Sequence, residues 1–105
     1  GESHYTRIDS PATPLEKKRL RELKPDSFAD TVLAGESILE KLTSAPGNHE
    51  SFGGIKVGTE NGWFAVRPSG TEPIYKIYAE SSRDQSHLDQ VVDEAQTFVR
   101  QKCVN

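Results

Sequence analysis

A single cysteine, Cys103, occurs in the 105 residues, which excludes an internal disulfide and fits a reducing compartment such as the cytoplasm. Positive charge is not in surplus: 13 Lys and Arg stand against 16 Asp and Glu, a formal net charge of −3. No general field therefore draws the chain to nucleic acid or to an anionic membrane, and any anion must be held by local groups. No apolar run approaches the length of a membrane span, and the polar start Gly1-Glu2-Ser3-His4 lacks the character of a signal peptide. A soluble, cytoplasmic chain is expected. Metal ligands are sparse too. His4, His49 and His87 have no partner at ligand spacing and are expected at the surface, and no Asp-x-Asp-x-Asp run occurs.

What is present suits one small α+β domain over residues 1–105, since 33% hydrophobic and 28% charged residues allow one core and leave long solvated loops. Tyr5 to Ile8 reads as a short strand, with a turn at Asp9-Ser10-Pro11. Thr13, Pro14 and Glu16 form a capping-box start to a helix that closes at Lys24-Pro25. Residues 26–52 fit either a short helix around Ile38, Leu39 and Leu42 or an extended run from Val32 to Leu39. A turn is expected at Ala45-Pro46-Gly47-Asn48, and the Gly53-Gly54 pair signals a loop or bulge.

From there the alternation predicts a meander of three strands, roughly 54–60, 62–67 and 74–81. Asn61-Gly62 is the turn dipeptide that should join the first two antiparallel. Phe64 and Val66 share one face, opposite Trp63 and Ala65; Tyr75, Ile77 and Ala79 share another, opposite Ile74, Lys76 and Tyr78. Leu88, Val91, Val92, Ala95, Phe98 and Val99 recur at helical spacing over about 84–102 and should cover the sheet. Cys103 at that helix's end reads as a buried or idle thiol, and Trp63 and the tyrosines as packing residues.

The segment Arg67 to Pro73, RPSGTEP, joins two strands through six residues, longer than the usual hairpin loop of about two to five. Arg67 can grip two phosphate oxygens with its fork, and Ser69, Gly70 and Thr71 can curl so that adjacent N–H groups converge on an anion. Glu72 opposes this unless it points outward or pairs with Arg67 or Lys76. Ser69 has neither a nearby His nor a G-x-S-x-G context, which argues against nucleophilic catalysis.

GGIKVGTENGWFAVRPSGTEPIYKIYAES (53–81), with HYTRIDSPAT (4–13), LAGE (33–36) and LTSAPGN (42–48), closely resembles the C-terminal domain of α-D-phosphohexomutases. Within that family it is most similar to the bacterial phosphoglucomutase branch. The resemblance implies an α+β fold like the TATA-binding-protein-like domain, a four-stranded antiparallel sheet with helices on one face. It further implies that Arg67, Ser69, Gly70 and Thr71 hold the substrate's non-reacting phosphate, with Glu72 and Lys76 as weaker candidates. The implied partners are glucose 1-phosphate, glucose 6-phosphate, glucose 1,6-bisphosphate and preceding domains of the same polypeptide. Phosphoserine, the Mg²⁺ loop and the sugar-binding loop would lie in those domains, leaving this one inactive alone. The alternative is a non-enzymatic protein-interaction module.

Overall fold

In the computed structural model, which describes residues 2–44 and 51–104, the expected alternation produces one antiparallel sheet with helices against its apolar side. The strands are β1 (His4–Pro11), β2 (Val32–Leu33), β3 (Glu36–Ser44), β4 (Ser51–Thr59), β5 (Gly62–Pro68) and β6 (Ile74–Ser81). Their order is β1-β6-β5-β4-β3-β2. Helix α1 (Pro14–Arg21) starts with the Thr13–Glu16 capping box, and α2 (Gln85–Lys102) is capped by Asp84. Ile55, Val57, Phe64, Val66, Tyr75, Ile77 and Ala79 face inward and pack with Leu20 of α1 and Leu88, Val91, Ala95, Phe98 and Val99 of α2 in one core cluster. No helix among the described residues is long and apolar enough to cross a membrane.

The sheet has six strands rather than four. The additional pair, β2 and β3, comes from the segment whose pattern fitted both helix and strand. Its register shifts between Ile38 and Glu40, and Leu39 is left 71% exposed. A bulge of this kind breaks the period of two, so Ile38, Leu39 and Leu42 imitate helical spacing. Ala34 and Gly35 both have positive φ, 49° and 81°, and form the turn between these strands. Glu94 of α2 supports that turn by accepting the Ala34 N–H at 3.0 and 3.1 Å.

Other expectations shift by short distances. β1 continues through Asp9, Ser10 and Pro11, where a turn was expected, because an edge strand tolerates a proline and these residues pair with Lys76, Tyr75 and Ile74. Gly62 is a strand residue opposite Ser81, so Glu60 and Asn61 make the β4–β5 turn in place of Asn61-Gly62. The Gly53-Gly54 pair lies inside β4. A Cβ on Gly54 would stand 1.8 Å from the Val66 carbonyl oxygen, so only glycine permits that backbone approach. The expected Ala45–Asn48 turn and His49 lie outside the described residues.

Two side-chain expectations are overturned. His87 is buried, 4% exposed, because the Asp84 cap accepts its N–H at 2.7 Å and its ring lies against Gly62, with Nδ1 2.7 Å from Ser81 Oγ. Of the aromatic residues, Tyr75 packs in the core, but Trp63 and Tyr78 lie half-buried on the uncovered sheet face and Tyr5 is exposed, since strand alternation points them away from the helices.

Candidate anion-binding site

Strand alternation also delivers Arg67 to the uncovered face, at the end of β5 where the chain leaves the sheet. The loop that follows is fixed by its own backbone and by α1. Ser69 N–H donates to the Ile74 carbonyl at 3.0 Å and closes the loop's base. Ser69 Oγ accepts the N–H groups of Thr71 and Glu72 at 3.3 and 3.1 Å. Farther out, Ala12 N–H donates to the Pro73 carbonyl at 2.9 Å, and Lys17 Nζ donates to the Glu72 carbonyl at 3.0 Å.

This geometry corrects the expectation that successive loop amides converge on an anion. The Ser69, Thr71 and Glu72 N–H groups are already engaged within the protein, and among the described residues only the Gly70 N–H of the segment 69–72 lacks a protein partner. Ser69 is the organiser of the loop. A hydroxyl has two lone pairs and one proton; here both lone pairs receive N–H groups, and the proton remains to be donated.

Arg67, Ser69, Gly70 and Thr71 do come together, around a shallow cleft of about 300 Å³ backed by Pro68. Lys76 and Tyr78 of β6 complete its lining. Arg67 and Lys76 are directly paired in the register, so two cationic side chains stand opposite one another across β5 and β6. Asp9, paired with Lys76 on the β1 side, forms a two-pronged bond to Arg7 at 2.9 Å for each prong, and that bond holds its carboxyl below the usual range. Glu72 borders a separate groove with Lys17 and Arg21, so it does not line the cleft.

Sequence reasoning had Lys76 only as a weak candidate and did not assign Tyr78 or Lys17. Lys76 and Tyr78 were legible once Arg67 was taken as outward-facing, because counting back across the loop places them opposite Arg67 and Ala65. Lys17 left no signal, since its contact depends on how α1 packs. Among the described residues no three His, Cys, Asp or Glu side chains gather as metal ligands would.

Comparison with known proteins supplies relatives for this arrangement. A family model described as the phosphoglucomutase/phosphomannomutase C-terminal domain matches residues 16–97. A phosphoglucomutase from Komagataeibacter xylinus is 53% identical over 94% of this chain and 18% of its own length. A phosphoglucosamine/phosphogalactosamine mutase from Sulfurisphaera tokodaii is 32% identical over 77% of the chain and 17% of its own. A probable phosphoglucosamine mutase from Methanopyrus kandleri is 31% identical over 76% and 17%. The chain thus spans less than a fifth of these curated relatives.

Proposed function

The chain belongs to the phosphoglucomutase/phosphomannomutase C-terminal domain family, and from that membership and the cleft we infer that residues 1–105 are the phosphate-holding domain of a phosphoglucomutase. The longer enzyme interconverts glucose 1-phosphate and glucose 6-phosphate through glucose 1,6-bisphosphate. Phosphoserine in another domain gives its phosphoryl group to the free sugar hydroxyl and recovers one from the opposite end. Meanwhile this domain grips the phosphate that is not reacting. Because the bisphosphate turns around between the two transfers, the grip must read phosphate and not one end of the sugar.

The observation that carries this reading is the facing pair Arg67 and Lys76 at the mouth of a loop with spare donors. Arg67 supplies a fork matched to two phosphate oxygens, and Lys76 a point charge. Ser69 O–H, Gly70 N–H and the Thr71 hydroxyl supply neutral donors. Mg²⁺, which the family implies, does not fit the described residues of this chain, which gather no set of acidic ligands. Its role belongs to the preceding domains.

In the full-length enzyme, Arg67→Ala should lower kcat/KM for both glucose monophosphates by about 100-fold, the loss of one or two charge-assisted hydrogen bonds of ~1.5–3 kcal/mol each. Arg67→Lys should recover only part of it, because the ammonium keeps the charge and loses the fork. Unchanged turnover in Arg67→Ala would remove the loop from the reaction.

A further inference from the structure

We propose that Lys17 of α1 is a positioning residue for the phosphate grip: by holding the Glu72 carbonyl it keeps the loop's one carboxylate on the α1 side, out of the cleft that takes the phosphate. This rests on the phosphate-holding role just given. Glu72 is the sole acid of the segment 67–73, and it directly follows Thr71, which lines the cleft. A carboxylate turned toward that cleft would repel a phosphate dianion and compete with it for Arg67 and Lys76. The loop therefore needs a device that fixes which way residue 72 faces.

Both backbone groups of Glu72 are held. Its N–H donates to Ser69 Oγ at 3.1 Å, from within the loop, and its carbonyl accepts from Lys17 Nζ at 3.0 Å, from 55 positions away. These two bonds hold the planar peptide groups on either side of its Cα, and with both planes set the direction of Cβ is set too. Lys17 is itself well placed for the task. It closes the first turn of α1, its own N–H donating to the Thr13 carbonyl at 2.9 Å, so the capping box that starts the helix also fixes where the lysine stem leaves it.

The α1 side is electrostatically prepared for a carboxylate. Lys17 and Arg21 are four residues apart, on one face of the helix, and with Glu72 they line a groove of about 340 Å³. Thr71 borders this groove as well as the cleft, so a change in the facing of residue 72 is enough to carry its charge from one to the other.

The chain is titrated with inorganic phosphate and with glucose 6-phosphate at about 0.15 M salt, where distant charges are largely screened, following the Gly70 amide by NMR. Lys17→Met keeps most of the aliphatic stem and removes the donor. It should weaken both ligands about fivefold, the scale of one like charge brought close to a dianion in water-like surroundings. Glu72→Gln should bind as the parent does, because its charge is already held away, and Lys17→Met with Glu72→Gln should regain the parent affinity. That coupling separates a positioned carboxylate from a merely braced loop. In the full-length enzyme the same pattern, loss in Lys17→Met and recovery in the double variant, should appear in kcat/KM for glucose 1-phosphate. Parent affinity in Lys17→Met, a loss that Glu72→Gln does not relieve, or an equal gain from Glu72→Gln with and without Lys17 would each overturn this inference while the loop reading stands. A Gly70 amide of the parent chain indifferent to both ligands would instead bring down the loop reading and this inference with it.

Discussion

Ser69 organises its loop through one hydroxyl, whose proton the proposed function assigns to a bound phosphate. It is 8% exposed, and its oxygen accepts two N–H groups that would otherwise need water. Ser69→Ala should therefore destabilise the chain by about 1–2 kcal/mol, read from urea unfolding, and weaken phosphate binding as well. Gly70→Ala is the control: its Cβ would meet nothing within 4 Å, so stability should not change. An unchanged unfolding midpoint in Ser69→Ala would mean that these two bonds do not organise the loop. Arg67 and Ser69 were legible as candidate site residues because an anion needs a guanidinium and a hydroxyl. Which amides would be available was not legible, since that depends on the loop's closed hydrogen bonds. Cys103 needed less: burial at the end of an apolar stripe pushes its thiol up to about 11, so it stays protonated at neutral pH.

At the level of elements, Glu36 at the start of β3 ties together the sheet's far end, away from the loop. It accepts from Thr59 Oγ1 at 2.7 Å and from the Asn61 side chain and backbone at 2.7 and 3.2 Å, and it stands 3.7 Å from both Arg83 and His87. Burial alone would raise its pKa, but the bonds from Thr59 and Asn61, with His87 nearby, outweigh that and lower it below the ordinary value of 4.5. A folded-state pKa below the unfolded one means stability that is present above the ordinary value and is lost as pH falls through the folded value. Glu36→Gln should thus be less stable than the parent at neutral pH, with the gap closing below 4.5 in urea midpoints measured across pH. A constant gap would show that the carboxylate's charge is not what these bonds depend on. The elements most legible in sequence were β5, β6 and α2, whose periods are unbroken over seven to eighteen residues. β3 was ambiguous because its bulge resets the alternation, and β2 because two residues carry no period at all.

On the scale of the whole molecule, the uncovered sheet face sets what the chain can do. One side of the sheet is closed by α1 and α2, and the other presents Arg67, Lys76, Tyr78 and Trp63. In the proposed role, a sugar held there by its non-reacting phosphate would react only if a phosphoryl donor were brought to its free hydroxyl, and relatives more than five times as long have room for the domains that would do so. The 105-residue chain assayed alone should show no interconversion of glucose 1-phosphate and glucose 6-phosphate, and any turnover dependent on Arg67 would refute the division of labour proposed for it.

The sequence by itself determined the identity of the loop, the alternation of β5 and β6 and the apolar stripe of α2, because each is written in neighbours a few residues apart. Tertiary structure decided which loop amides are engaged, that Lys76 stands opposite Arg67, that Lys17 of α1 holds the Glu72 carbonyl, and that His87 turns inward. Those depend on strand register and helix packing, which join residues as far apart in the chain as His4 and Ser81 and are fixed only when the core closes.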